Sequence, residues 1–272
     1  MRRKTAKKNS GLFRFFFYIV LFLIVTAVIF KYKNAILYYL GIKSSKYQTE
    51  LSESDLRKAK IRIHKILEKH DENAIGFDVS EYQSSINWKK TYHINESYEL
   101  SFVFVRATAG SNKVDKKFAQ NWYAAKKRQL IRGAYHYYRP NENSLEQATN
   151  FIKTVQLKKG DLPPVLDIEK IPRNQSMANL KKGLKRWLEK IEQHYQMKPI
   201  IYSGESYYSD FLKDEFSDYH LWIANYNFYR NELENDWKFW QFTERAKIEG
   251  VPGYVDLNIY NGNKLELTAL CK

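Results

Sequence analysis

Eight short apolar runs, each followed by a turn or a helical segment, limit the folds that this chain can adopt. Short apolar runs bounded by polar turns are typical of buried strands, and several segments between them have helical spacing. The predicted strands cover 74–79, 101–107, 131–137, 164–169, 198–203, 220–225, 238–243 and 254–260. The predicted helices cover 115–130, 144–157, 176–196 and 205–212. This alternation predicts an α/β fold, a compact (β/α) barrel of TIM type over 74–272 that is partly irregular where the connections are short.

The distribution of charge separates an N-terminal leader from this body. The formal net charge is +15, but no acidic residue precedes Glu50, whereas ten Lys and Arg do. From Glu50 on, 35 Lys and Arg face 30 Asp and Glu. A body this close to neutral argues against a nucleic-acid partner, and a basic leader is typical of a membrane-topology signal.

The leader contains an uncharged apolar run over 15–30 and a second apolar run over 35–40. Because this length nearly spans a bilayer, we expect a transmembrane anchor over 15–40 and a basic cytoplasmic tail over 1–14. The prediction is a single-pass protein of the cytoplasmic membrane, bound to the lipid bilayer, with its N-terminus inside. Its body would lie outside the cytoplasm, in the periplasm or at the cell surface. A cleaved signal peptide is the alternative.

A polar connector over 41–73 joins the leader to the body. Leu56, Ala59, Ile63, Ile66 and Leu67 follow helical spacing, which predicts one amphipathic helix with a narrow apolar stripe. Such a helix suits a short stalk that packs on the body of a monomer. A dimerising coil is the alternative.

The strand predicted at 164–169 carries two carboxylates, Asp167 and Glu169, on one face, because side chains two residues apart in a strand point the same way. Two acids on an apolar strand resist burial unless one keeps its proton. A glycoside hydrolase needs such a pair, since one carboxylic acid protonates the leaving oxygen and one carboxylate stabilises positive charge at the sugar. The alternative is a strand end whose acids meet solvent or basic partners.

Two further acids are expected at the same end of the barrel, because the active site of a β/α barrel lies at the C-terminal ends of its strands. Asp78 ends the first predicted strand. Asp256 lies in the last, which neighbours the first when a barrel closes. The candidate catalytic residues are therefore Asp78, Asp167, Glu169 and Asp256.

Aromatic side chains at or near predicted strand ends are candidates for stacking on sugar faces, with core packing as the alternative for each. They are Tyr137, Tyr202, Trp222, Tyr226 and Trp240, and Gln241 is a candidate hydrogen-bond partner of a glycan or an acid. Arg106 is expected to pair with a buried carboxylate and His136 to lie in the core. The six histidines show no ligand spacing, so we expect no metal site and no cofactor.

A series of motifs resembles a known family. In chain order they are Gly76-Phe77-Asp78-Val79-Ser80 with Gln83, Phe104-Val105-Arg106-Ala107-Thr108, Gly133-Ala134-Tyr135-His136-Tyr137, the stretch 164–169, Ile201-Tyr202, Leu221-Trp222-Ile223-Ala224, Trp240-Gln241-Phe242 and Val255-Asp256-Leu257-Asn258. Over nearly all of residues 74–262 this series resembles glycoside hydrolase family 25, the Chalaropsis-type lysozymes. The resemblance implies a flattened β/α barrel that acts as a muramidase on the β-1,4 bond after N-acetylmuramic acid in peptidoglycan.

The resemblance also implies roles for the four acids. Glu169 matches the family's general acid, and Asp167 matches the carboxylate that assists at the anomeric centre, either as nucleophile or by holding the substrate's N-acetyl group. Asp78 and Asp256 match supporting acids. Family members often carry Lys-x-Thr-Glu-Gly where this chain has Arg106-Ala107-Thr108-Ala109-Gly110. The missing acid at Ala109 bears on substrate preference more than on the chemistry.

Together these observations predict a membrane-anchored muramidase whose partner is the peptidoglycan glycan strand. A chitinase-like barrel is disfavoured, because the aspartates expected two and five residues upstream of Asp167 are replaced by Val165 and Leu162. A non-catalytic, membrane-tethered peptidoglycan-binding protein is the remaining alternative.

Overall fold

The computed structural model describes residues 14–27, 52–95, 97–233 and 236–272. These belong to two compact units, Met1–Glu50 and Leu51–Lys272. In the first unit residues 14–27 form helix α1, whereas the remainder of the predicted tail and anchor, 1–13 and 28–40, lies outside the described residues.

The predicted transmembrane helix is wrong for the part of the chain that the structure describes. Among those residues no helix is both long and apolar enough to cross a bilayer.

Helix α2, Glu53–Lys69, lies in the second unit, and the Ser52 hydroxyl caps it by accepting from the Asp55 N–H at 3.2 Å. Its apolar stripe of Ile63, Ile66 and Leu67 is buried. On the same side the Arg62 guanidinium donates to the backbone carbonyl of Phe242, which lies on the barrel wall. The C-terminal half of the helix is therefore packed on the barrel rather than standing apart from it.

Eight strands close into the barrel, because β1 pairs with both β3 and β10. In chain order they are β1 Ile75–Val79, β3 Tyr98–Ala109, β5 Ile131–Tyr137, β6 Val165–Asp167, β7 Ile200–Gly204, β8 His220–Ala224, β9 Phe239–Ala246 and β10 Val255–Tyr260. The two-residue strands β2, His93–Ile94, and β4, Lys113–Val114, each pair with β3.

The predicted TIM-type architecture is wrong in its strand directions. From β1 through β3 and on to β9 the neighbouring strands run parallel, but β10 runs antiparallel to both β9 and β1. Only residues 247–254 separate β9 from β10. A parallel crossover needs about a dozen residues or more, so a connection this short forces a hairpin.

The helical connections are also incomplete relative to a TIM barrel. Helix α3, Phe118–Lys127, α4, Ser144–Thr154, and α5, Met177–Tyr195, connect the strands from β3 to β7. A broken helix follows β7, made of α6 Glu205–Tyr207, a π-helical turn Tyr208–Leu212 and α7 Lys213–Phe216, and α8, Lys264–Ala269, follows β10. In the described residues between β8 and β10 no helix is present. The observed fold is therefore an eight-stranded barrel with helices around only part of its circumference.

Large aromatic side chains fill the barrel interior. Phe104 stacks on Trp222 at a centroid distance of 4.3 Å and meets Phe239 edge-on at 5.1 Å, and Phe102 also contacts Phe239. A second, larger apolar layer lies between the strands and the surrounding helices, and it includes Trp187 of α5. Since the interior is packed solid at this level, polar side chains are confined to the end of the barrel above it.

We expect Gly76→Ala to lower the free energy of unfolding by about 3 kcal/mol, because a Cβ there would lie 2.5 Å from both the ring and the carbonyl oxygen of Phe102. The matched control is Gly253→Ala, whose Cβ meets no atom within 4 Å but whose φ of +76° costs a non-glycine residue about 1 kcal/mol. Urea denaturation measures both. Equal losses in the two variants would contradict the close contact inside the barrel.

Candidate active site

The four candidate acids lie at one end of the barrel. Asp78 is the fourth residue of β1, Asp167 ends β6, and Glu169 follows two residues later. Asp256 is the second residue of β10, and because β10 is antiparallel, its start lies at the end where the other strands finish. Asp256 is thus the direct pairing partner of Asp78.

Two side-chain amides hold the buried Asp78 carboxylate. The Gln241 Nε2 and Asn258 Nδ2 groups both donate to Asp78 Oδ2, at 2.7 and 2.8 Å. Each amide oxygen is itself occupied: Trp222 Nε1 donates to Asn258 Oδ1 at 2.8 Å, and the Tyr202 hydroxyl donates to Gln241 Oε1 at the same distance. These donors fix the orientation of the amides, so that their N–H groups point at Asp78.

Burial raises the pKa of Asp78 from its ordinary value to about 7. The hydrogen bonds from Asn258 and Gln241 act in the opposite direction, and the charge of Glu169 raises the pKa further. Desolvation disfavours the ionised carboxylate more than two neutral amides stabilise it. The influence of Glu169 on Asp78 also means that residues 91 positions apart in the chain are close in space.

Three tyrosine hydroxyls lie among the four acids. Burial raises the pKa of Tyr135, Tyr202 and Tyr226 well above the ordinary value, and nearby carboxylates add to the effect. Asp78, Asp167 and Asp256 act on Tyr135, whereas Asp78, Asp167 and Glu169 act on Tyr202. Asp256, Glu244, Asp78 and Glu169 act on Tyr226. The four predicted acids therefore lie in one cluster around these three hydroxyls.

Tyr226 combines a buried hydroxyl with an open ring. Its hydroxyl donates to Gln241 Oε1, yet 43% of the residue is exposed, on the loop that follows β8. Tyr137, at the end of β5, is in register with Asp167 and has the Lys170 ammonium 5.5 Å from its ring centroid. Both rings are accessible at the rim.

The structure does not bring Trp222 and Trp240 to this rim. Trp222 is 2% exposed and lies in the aromatic interior, where its indole orients Asn258. Trp240 is fully buried on the outer face of β9, where it packs against Arg62 of α2 and donates to the carbonyl oxygen of Asn225 at 3.0 Å.

Arg106 and His136 form contacts with neighbouring side chains that stabilise the fold. Arg106 pairs with the buried Asp115 at 2.9 Å and with Glu81 at 3.2 Å. His136 is fully buried between Thr108 and Gln147, whose polar atoms lie 2.7 and 3.1 Å from its ring nitrogens. Burial lowers the pKa of His136 to about 4, so the ring is neutral at physiological pH. Within the described ranges no group of three or more His, Cys, Asp and Glu is placed to hold a metal ion.

Tyr135 and Asn258 were not predicted as site residues, although the alternation of side chains along a strand could have identified them. Each lies two residues from a candidate, Tyr137 and Asp256, and side chains two apart on a strand share a face. The same alternation separates the adjacent residues Trp240 and Gln241, because they must point to opposite faces of β9.

Residues 77–251 match the family model described as Glycosyl hydrolases family 25. The chain belongs to this family. The matched region contains Asp78, Asp167 and Glu169, whereas Asp256 lies just beyond it. The predicted resemblance is confirmed, and this family 25 chain is a glycoside hydrolase.

Relatives support the same membership. The chain is 38% identical over 198 residues to the Escherichia coli K12 protein named "Uncharacterized protein YegX", covering 71% of this chain and 72% of that one. It is 31% identical over 210 residues to Lysozyme M1 of Streptomyces globisporus, covering 72% and 70%. The solved structure of a family 25 glycosyl hydrolase from Bacillus anthracis superposes with a TM-score of 0.65 at 33% identity, covering 73% of this chain and 94% of that one.

We expect Asp78→Asn to remove a pH-dependent part of the stability. The folded state keeps the Asp78 proton up to about pH 7, whereas the unfolded chain releases it near its ordinary pKa of 3.8. The wild type should therefore lose up to about 4 kcal/mol of unfolding free energy between pH 4 and pH 8 from this group. In the variant the amide oxygen still accepts both hydrogen bonds, so this loss should be absent.

Urea denaturation at pH 4.5 and pH 7.5 measures the difference, with Asp210→Asn as a control that removes an exposed carboxyl instead of the buried one. Parallel pH profiles for the wild type and Asp78→Asn would contradict the burial argument.

Proposed function

We propose that this chain is a muramidase that hydrolyses the β-1,4 bond between N-acetylmuramic acid and N-acetylglucosamine in peptidoglycan. The convergence of four carboxylates around the hydroxyls of Tyr135, Tyr202 and Tyr226 carries the proposal. Family membership and the likeness to Lysozyme M1 support the choice of substrate. Peptidoglycan lies outside the cytoplasm, so the enzyme would act there.

In this proposal Glu169 is the general acid. It lies just past the end of β6, half-buried at the rim, where a glycosidic oxygen can reach it. A positioned acid of this kind contributes about 10²–10⁴-fold to the rate. Its proton goes to the oxygen of the departing sugar as the glycosidic bond breaks.

Asp167 is proposed to act at the anomeric carbon, either as the nucleophile or by holding the substrate's N-acetyl group as that group attacks. Its side chain is buried at the end of β6, and Asp78 and Glu169 act on the same Tyr202 hydroxyl as Asp167 does. In either role an ionised carboxylate stabilises the positive charge that develops on the sugar ring.

Asp78 and Asp256 are proposed as supporting acids. Asp78 is held rigidly by Gln241 and Asn258, and it pairs across the strands with Asp256. The charge of Glu169 raises the pKa of Asp78 beyond the effect of burial, so the supporting acid responds electrostatically to the proposed general acid. We further propose that residues 74–272 make up the hydrolase and that 41–73 is the linker before it, whose described helix Glu53–Lys69 packs on the barrel.

Glu169→Gln should lower the rate of wall hydrolysis by about 10²–10⁴-fold, because the amide cannot donate a proton to the leaving oxygen. Release of reducing ends from purified peptidoglycan measures the rate, and mass spectrometry of the fragments identifies muramic acid at the new ends. Co-sedimentation with insoluble wall should remain at the wild-type level.

The matched control is Glu146→Gln, an exposed acid on α4. Full activity in Glu169→Gln would overturn the assignment. A wild-type chain that binds the wall but leaves its glycan intact would instead favour the non-catalytic peptidoglycan-binding protein.

Tyr226→Ala should raise KM for glycan about tenfold, because a sugar that stacks on the exposed ring loses a contact worth about 0.5–1.5 kcal/mol and the hydroxyl no longer orients Gln241. Tyr123→Ala is the control, since Tyr123 is 69% exposed on α3. An unchanged KM in Tyr226→Ala would remove this residue from the glycan site.

A further inference from the structure

The segment that leaves Glu169 has an unusual charge distribution. Residues 170–188 contain no acidic side chain and six basic ones, Lys170, Arg173, Lys181, Lys182, Lys185 and Arg186. From Glu50 to the C-terminus the chain has 35 Lys and Arg against 30 Asp and Glu. The six positive charges of this one segment therefore exceed the surplus of five in the whole body, and the segment begins beside the candidate general acid.

Four of these cations repel one another on α5. Lys181 and Lys185, and likewise Lys182 and Arg186, are four residues apart, a spacing at which like charges destabilise a helix by about 0.2–0.5 kcal/mol per pair. Lys181 pairs with Glu215 at 2.9 Å. Lys182, Lys185 and Arg186 are exposed, and none forms an ion pair with a carboxylate in the described ranges. Glu189, four residues after Lys185 and three after Arg186, offsets part of this repulsion, whereas Lys182 has no acidic residue three or four positions away on the helix.

A polar cavity of about 340 Å³ adjoins this helix face. Asn179, Gly183 and Arg186 of α5 form one wall, and the loops after β5 and β6 form the others. The Asn141 side chain joins those loops by accepting from the N–H groups of Arg173 and Asn174, both at 3.1 Å. Gly183 lets the Tyr138 hydroxyl approach the helix closely, since a Cβ there would lie 2.8 Å from that hydroxyl.

A backbone hydrogen bond connects the cavity lining to the strand that carries Asp167. Tyr138, which lines the cavity, donates its backbone N–H to the carbonyl oxygen of Asp167 at 2.8 Å. Glu142, an acid in the lining, accepts hydrogen bonds from the Arg139 guanidinium at 3.0 Å and from the Ser111 N–H at 2.6 Å. Burial raises the pKa of Glu142, but those hydrogen bonds outweigh it and the pKa is lowered overall. The remaining charge at the cavity is positive.

We propose that the cavity and the adjoining Lys182, Lys185 and Arg186 bind the carboxylates of the stem peptide carried by the muramic acid of the substrate. This inference rests on the proposed muramidase function. The glycan backbone is neutral, because the lactyl carboxyl of muramic acid forms the amide bond to the stem peptide. The stem peptide itself is acidic, so a cationic surface beside the carboxylate-rich site would bind the peptide rather than the glycan. Arg186 and Lys182 supply the charge-assisted hydrogen bonds that a carboxylate accepts.

The test uses the full chain and two walls, both stripped of phosphate polymers: one native, and one whose peptide carboxylates are converted to amides. Lys182→Ala/Arg186→Ala should lower kcat/KM on the native wall about five- to twentyfold, the loss of two exposed charged contacts. On the amidated wall the double variant and the wild type should agree within about twofold. Lys126→Ala/Lys127→Ala, which removes two exposed charges from the end of α3, should match the wild type on both walls.

An equal loss on both walls, or none on either, would overturn the proposal. A third, unstripped wall tests the phosphate polymers: a loss on that wall with none on either stripped wall would identify those polymers as the partner and would overturn the proposal as well. Co-sedimentation of Glu169→Gln, with and without the double substitution, measures binding without cleavage. If the wild type cleaves neither wall, the muramidase proposal fails, while this binding assay still decides whether the cationic surface recognises peptide carboxylates.

Discussion

The short connection between β9 and β10 is the constraint on which the rest of the site depends. Residues 247–254 are too few to return below the barrel, so β10 turns back as a hairpin and closes the sheet antiparallel to β1. This reversal brings the start of β10 to the open end of the barrel. Asp256 then pairs with Asp78, and Asn258 lies opposite Gln241. With a parallel β10, Asp256 would start its strand at the opposite end.

Asp78, a buried acid of this cluster, is held by neutral donors. Gln241 and Asn258 each donate to Asp78, and their own oxygens are saturated by Tyr202, Tyr226 and Trp222. Neutral partners keep the carboxylate in place while leaving its proton affinity high. The nearby Arg106 lies within electrostatic reach of Tyr135 but is paired with Asp115 and Glu81. An unpaired cation would favour ionisation of the acids. Because the charge of Arg106 is compensated by Asp115 and Glu81, its effect on them is weaker.

Part of this organisation was predictable from the residues alone. The strand alternation predicted eight strands and an open end lined by acids, because period-two patterns and turns are local. The spacing of Asp167 and Glu169 predicted a shared face for the same reason. Strand alternation also places Trp240 on the opposite face of β9 from Gln241, and therefore away from the site. It places Tyr135 on the same face as Tyr137, and Asn258 on the same face as Asp256. The transmembrane prediction rested on composition over 15–40, which the described helix over 14–27 does not bear out.

The sequence by itself determined which residues carry charge, which strands are apolar and to which family the motifs belong, since these depend on neighbours along the chain. Only the tertiary structure decided the direction of β10, the burial that raises the pKa of Asp78, and the depth at which Trp222 lies. Each of these depends on contacts between segments about 15 to 180 residues apart. Barrel closure sets those contacts, and local pattern carries no information about the depth at which a side chain comes to rest.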